Sequence, residues 1–408
     1  MTSPAAPDLY SPEFPADWEA ASLYSLATWV NGLAFKNIDF ADAGRPVVKI
    51  AEIKNGLSSQ TRYTAAQYDD KYRITNGDFL FAWSGQPETS IDAYWWRGPA
   101  AWLNQHIFKI LPDATRVDRG LFFQILKYLR PNFVRIARNK QTTGLGHVTK
   151  TDLERLTVRI PQSKAEQEVL ASTLGALDDK IMSNQRTCAL LEAEAQTLFE
   201  SIFDVEQQES GQAISELVEV NPQRPLKRGV LSTYIGMADV PSGGALIYSW
   251  APREMTSGQR FSNGDVLFAR ITPCLENGKT AMVDMLESGE VGWGSTEFVV
   301  LHPGPAVSTP WVYCLVRTEP VRNFAIRNMS GSSGRQRFPA SAFDTYALEP
   351  PAPLAVEEFN ALAIPSFERM TQLRDETKRL SALLDALRPE LLSGRLRVSG
   401  LSASETQS

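Results

Sequence analysis

Four short stretches hold the side chains best suited to chemistry. "SGQPET" (84–89) and "RNKQTTGLGH" (138–147) lie in the first half of the chain, and "RITPCLENGK" (270–279) and "RNMSGSSGRQR" (327–337) in the second. Each follows an apolar run, has no hydrophobic reason to exist, and gathers Arg, Lys, Gln or Asn. Arg or Lys matches the edge of guanine and Asn or Gln that of adenine, provided a scaffold fits the groove. The candidates for such contacts are Gln86, Lys140 and Gln141 in the first half, and Arg270, Arg335, Gln336 and Arg337 in the second. Arg130, Arg135, Arg138, Arg322 and Arg327 are candidates for phosphate contacts, which hold register without reading sequence.

Other chemistries find no support. "NPQR" (221–224) begins like the Asn-Pro-Pro-aromatic motif of adenine methyltransferases, but lacks the second proline and the aromatic that would stack on a flipped base. "EIK" (52–54) and "ETK" (376–378) mimic part of a nuclease Glu-x-Lys pair without a partner acid in context. No phosphate-binding glycine loop is present. His106, His147 and His302 are isolated in sequence, and Cys188, Cys274 and Cys314 are too scattered for a disulfide framework or a zinc cluster. The expectation is a chain without catalytic or metal-ligating residues. With no 18-residue apolar run and no charged residue suited to a secretory n-region before Lys36, it is expected in a reducing cytosol.

The four stretches are spaced by a repeat. "NGDFLFA" (76–82) returns as "NGDVLFA" (263–269), and the pairs "KIAEI" and "GMADV", "ILP" and "LHP", Gly144 and Gly334, and Pro161 and Pro351 keep an offset of 187 to 191 positions. An offset that steady over so long a span implies a tandem duplication. Charge follows the same plan despite a net charge of −6. Residues 116–150 hold eight basic residues against Asp118, 317–337 hold five against Glu319, and 187–223 hold eight acids and no Lys or Arg. The positive charge therefore belongs to the repeats and the negative charge to what joins them.

Each repeat reads as mixed α/β, with strands at "VVKIAEI", "DFLFAW" and "HIFKIL", then "TYIGMADV", "DVLFARI" and "EFVVLH". Helices follow at "GLFFQILKYLRPN" and "PWVYCLVRTEPVRNFAIRN". A long helix follows each repeat. Between Ser163 and Phe203 there is no proline, and Leu170, Leu174, Leu177, Ile181, Asn184, Cys188, Leu191, Ala195, Leu198 and Ile202 step by threes and fours. That is a heptad seam, on a helix about 60 Å long. The second seam runs from Ala363 through Ser366, Met370, Leu373, Thr377, Leu380, Leu384 and Leu387 to Leu391, with Pro365 expected to kink or restart it. If the two helices pair antiparallel, the polar Asn184 and Thr377 meet in a layer that fixes register.

This order of repeat, helix, repeat, helix resembles the specificity (S) subunit of type I restriction–modification systems. So do the phrases "NGLAFKNIDFADAGRPVVKIAEIKNG", "NGDxLFA" and "RIPQSKAEQEVLASTLGALDDKIMSNQ". The second copy departs from the last phrase, with Glu357-Glu358 where Glu-Gln is expected. The resemblance implies an α+β fold with two target recognition domains (1–161 and 206–352) and two long spacer helices (162–205 and 353–397) forming an antiparallel coiled coil, ending in a flexible tail (398–408). It implies that each domain reads one half of a bipartite site in double-stranded DNA, while the helices set the spacing and dock two modification (methyltransferase) subunits. The implied complex is an adenine-N6 methyltransferase and ATP-dependent endonuclease. S-adenosylmethionine, ATP and Mg would be bound by the partner modification and restriction/translocase subunits, and no cofactor by this chain. The competing reading is a coiled-coil scaffold whose two heads bind proteins, which explains the paired basic loops poorly.

Overall fold

The computed structural model describes residues 15–141, 144–332 and 334–397, so the tail expected at 398–408 lies outside the described residues. The chain forms two compact units, one from residues up to 179 together with those from 381, the other from 180 to 380. The division falls within both long helices rather than at their ends.

In the first unit a four-stranded antiparallel sheet runs in the order Ala27–Asn31, Ile107–Pro112, Phe79–Ala82, Asp92–Trp95. A second sheet runs Tyr63–Thr64, Arg45–Val48, Ala101–Leu103, Arg73–Ile74, with its middle pair parallel. The second unit has the same two orders. They are Val218–Val220, Phe298–Pro303, Val266–Ala269, Thr280–Met282, and Ala251–Glu254, Leu231–Ile235, Gly292–Gly294, Gln259–Phe261, again with a parallel middle pair. The strand expected at "VVKIAEI" ends at Val48, and Ile50–Asn55 is helical. Glu52 accounts for the difference, because its carboxylate accepts the Lys49 N–H at 3.0 Å and caps that helix.

The recurring seven-residue phrase has a structural cause. Phe79–Ala82 and Val266–Ala269 are buried at every position, which is why they are continuously apolar rather than alternating. Each strand starts from a turn in which glycine takes a positive φ of 88° (Gly77 and Gly264). The following aspartate accepts the backbone N–H three residues back, Thr75 to Asp78 and Ser262 to Asp265, both at 2.7 Å. Helices Arg119–Tyr128 and Arg130–Asn139 belong to the first unit, where Phe122 and Phe123 meet Phe79 edge-on. Thr309–Arg317 and Glu319–Arg327 are their counterparts in the second.

The long helices span Lys164–Ile202 and Pro353–Leu392. Every seam residue named above is buried or half-buried. Pro365 neither ends nor restarts the second helix, contrary to expectation. The flanking Ala363, Ser366, Phe367 and Met370 are all buried, and this packing holds the helical path where Pro365 lacks a donor. In the second unit the helices run in opposite directions: Asn184 donates to Glu376 at 2.9 Å, Cys188 Sγ lies 3.7 Å from the Met370 carbonyl, and Phe199 meets Phe359 edge-on. In the first unit, Asp178 accepts from Gln124 at 2.7 Å and pairs with Arg388 at 3.4 Å.

Gln167, from the most specific phrase of the sequence, is buried within its own unit. Its Oε1 accepts the Asp118 N–H at 2.7 Å, and its Nε2 donates to the carbonyls of Pro161 at 2.7 Å and Arg116 at 3.0 Å. It ties the first turn of the long helix to the cap of helix Arg119–Tyr128. In the second unit Glu358, the counterpart of Gln167, is exposed, and the tie is made instead by Ser308, the cap of helix Thr309–Arg317, donating to Asn360 at 2.6 Å. Replacing Gln167 with alanine strands three buried backbone groups, so denaturant unfolding should report a loss of about 1–3 kcal/mol, whereas Glu358→Ala should cost almost nothing.

Candidate nucleic-acid interface

The two polar stretches of each repeat, far apart in sequence, are joined by backbone hydrogen bonds. In the first unit Ser84–Gly85 pairs antiparallel with Gly146–His147, and Val148 N–H donates to the Trp83 carbonyl at 2.8 Å. The approach needs glycine, since a Cβ on Gly146 would sit 2.3 Å from the Ala137 carbonyl oxygen. In the second unit Ile271 bridges Arg337, Phe338 N–H donates to the Arg270 carbonyl at 2.8 Å, and Thr272 N–H donates to the Gln336 carbonyl at 3.1 Å. Ser330 and Arg337 exchange two backbone bonds and close the loop between them.

The candidate side chains divide into engaged and open groups. Lys140 binds Asp152 at 2.6 and 2.7 Å. Burial would raise the Asp152 carboxyl, but hydrogen bonds from Lys140 and Thr149 outweigh it and hold the group below its ordinary value. Arg337 places its Nε and Nη2 on Glu297 at 2.7 to 2.9 Å, which occupies one of the two edges through which a guanidinium pairs bidentately. Arg138 pairs with Glu88, Arg130 with Asp92 at 3.3 Å and with the Glu88 carbonyl, and Arg322 with the Glu276 carbonyl at 3.0 Å. Gln86 accepts from Thr89 at 3.3 Å and Gln141 donates to the Gly144 carbonyl at 2.6 Å, yet both are exposed. Arg135, Arg327, Arg335 and Gln336 are exposed. Arg270 is half-buried, with its Nε lacking a hydrogen-bond partner among the described residues. Asn184 pairs with Glu376, the neighbour of the buried Thr377.

The histidines are not isolated in space. His106 lies beside the Trp83 ring, with centroids 5.9 Å apart, and His147 is in the strand pair next to Trp83. His302 meets Asp265 at 2.8 Å beside Arg224. Among the described residues no three His, Cys, Asp or Glu side chains are grouped to hold a metal, and no helix is long and apolar enough to cross a membrane. Sequence reasoning missed Trp83, His106, His147 and Glu297. The offset of the repeat held the signal, since it aligns Trp83 with Arg270, His106 with Glu297 and His147 with Arg337.

Known proteins resemble parts of this chain. Residues 15–193 match the type I restriction modification DNA specificity domain. A stretch of 122 residues is 30% identical to the EcoEI specificity subunit of the type I restriction enzyme from Escherichia coli, and equally to that of EcoAI from the same organism. The match covers 30% of this chain and 20% of each relative's length. The crystal structure of a type I restriction-modification S subunit from M. genitalium superposes with a TM-score of 0.52 at 12% identity, covering 94% of this chain and 97% of that one, a likeness of fold. Over residues 15–193, less than half of its length, the chain is similar to the type I restriction modification DNA specificity domain family.

The Arg337–Glu297 pair is open to a pH test. Hydrogen bonding from Arg337 is the main cause holding the Glu297 carboxyl below its ordinary value of 4.5. A depressed carboxylate contributes stability above its unfolded value and loses it as pH falls through the folded one. The difference in melting temperature between the wild type and Glu297→Gln should therefore be constant from neutral pH down to about 5 and shrink below about 4.5.

Proposed function

We propose that this chain is the DNA sequence-recognition subunit of a type I restriction–modification complex, acting in the cytoplasm as a non-catalytic component. Each unit carries a duplicated target recognition domain that reads one half of a bipartite site. The long helices pair as an antiparallel coiled coil, set the spacing between the half-sites and dock two methyltransferase subunits. Restriction/translocase subunits complete the assembly, and S-adenosylmethionine, ATP and Mg belong to those partners. The observation that carries this reading is the joining, in both units, of two hydrogen-bonding loops by equivalent backbone bonds beside exposed arginines. A scaffold for protein partners would not need the same polar platform twice.

Within this reading Gln86, Gln141, Arg270, Arg335 and Gln336 are the base-reading candidates left open. Lys140 and Arg337 hold the platform. Arg135 and Arg327 are free to meet phosphate, whereas Arg130, Arg138 and Arg322 must first exchange an internal partner. Asn184 fixes the register of the coil through Glu376, next to Thr377.

Methylome sequencing of the host should show a two-part adenine motif that vanishes when this gene is deleted. Retention on duplex DNA should fall steeply with salt, since displaced counterions drive phosphate binding; retention indifferent to salt would favour the protein scaffold. Replacing Arg335 and Gln336 together by alanine should cost about 1–3 kcal/mol of discrimination for each base that is no longer read. The methylated motif should relax in one half, with the other half and the spacer intact. Equal decay of both halves would show that these residues hold phosphate or the fold.

A further inference from the structure

The two platforms share backbone bonds and differ in chemistry at three positions. In the first unit Trp83 N–H donates to the His106 carbonyl at 3.2 Å, the Trp83 carbonyl accepts from Val148, and His147 lies opposite Ser84. In the second, Arg270 N–H donates to the Glu297 carbonyl at 2.9 Å, the Arg270 carbonyl accepts from Phe338, and Arg337 lies opposite Ile271. The same three links therefore fix Trp83, His106 and His147 in one unit and Arg270, Glu297 and Arg337 in the other.

Main-chain bonds make these links, so the links themselves do not prescribe which side chains stand there. The strands behind them vary little, "FLFA" against "VLFA", and are wholly buried. At the three positions the residues change completely, and all six are exposed or half-buried. One trio presents an indole and two imidazoles. In the other, a carboxylate holds one guanidinium at 2.7 to 2.9 Å and a second guanidinium keeps a buried Nε without a hydrogen-bond partner among the described residues. A fixed backbone with exchanged functional groups is what a chain needs to read two different sequences with one fold.

We propose that the two half-sites are distinguished at these equivalent positions, an inference that rests on the DNA-reading function above. The first unit reads through the ring nitrogens of His106 and His147, set around Trp83. The second reads a guanine through Arg270. Glu297 is a positioning residue there, because by holding Arg337 it keeps that guanidinium away from the base and fixes the floor on which Arg270 stands.

The test is methylome sequencing of cells carrying the full chain with its modification subunits, the chain being wild type or a variant. Two sets of variants are compared: His106→Ala and His147→Ala, backed by the milder His147→Gln, and Arg270→Ala, backed by Glu297→Gln and Arg270→Lys. The histidine variants should change at least one base position in one half of the motif and leave the other half and the spacer alone. Arg270→Ala should relax a guanine position in the opposite half by roughly tenfold or more. Glu297→Gln should alter that same half, and Arg270→Lys should restore part of the guanine preference. Unchanged motifs at full methylation with the mild variants would overturn the proposal, and so would changes from both sets falling in one half. If the wild-type chain gives no two-part motif, the DNA-reading function itself fails and the proposal falls with it. A wild-type motif that the variants leave untouched removes the proposal alone.

Discussion

The architecture depends on one constraint, a central strand buried on both faces. Phe79–Ala82 and Val266–Ala269 have no solvent side, so polar groups can enter and leave only at their ends. At the entrance, Asp78 and Asp265 cap the turn that glycine permits, and Asp265, fully buried, is paired with Arg224 and lies within hydrogen-bond distance of His302. At the exit the chain must emerge into solvent, and it does so as the first of the two polar loops. The second loop arrives after the paired helices and is fastened to the first by main-chain bonds. The platform is thus a consequence of where a buried strand can stop.

The same economy governs the attachment of the long helices. Apolar seams alone would allow the helices to slide, because every heptad resembles the next. Polar contacts remove that freedom. Gln167 binds three backbone groups at one end of the first helix, and Asn184 meets Glu376 further along. In the second unit Arg374, 2% exposed, is held by Asp284 and Asp375. A buried charge left unpaired is costly, so each pair tolerates one register and penalises the others.

Much of this was legible in the sequence. The repeat, the central strands, a helical stretch in each unit and the two long helices follow from periodicity and offset, which report backbone demands directly. Three features were not legible, each for a physical reason. Ile50–Asn55 reads as strand because it continues the Val- and Ile-rich run that begins at Val47, and the cap formed by Glu52 makes it helical. Pro365 reads as a break because sequence rules weigh the missing donor but not the buried neighbours that hold the helix. Lys140 and Arg337 read as free cations, since nothing in their own loops announces Asp152 or Glu297.

The last of these has the widest consequence. A basic residue in a polar loop is available to a ligand only if no carboxylate inside the fold claims it first, and that competition is three-dimensional. Lys140 and Arg337 lose it, while Arg335 stays exposed. The histidines err in the opposite direction: they look isolated along the chain because His106 stands just before one strand and His147 closes another, and the bonds of Trp83 bring both to the same platform. In a duplicated chain the internal offset supplies part of the missing dimension. Aligning one copy on the other sets Trp83 against Arg270 and His106 against Glu297, so that the positions most altered between two equal backbones become the ones to examine for what each unit binds.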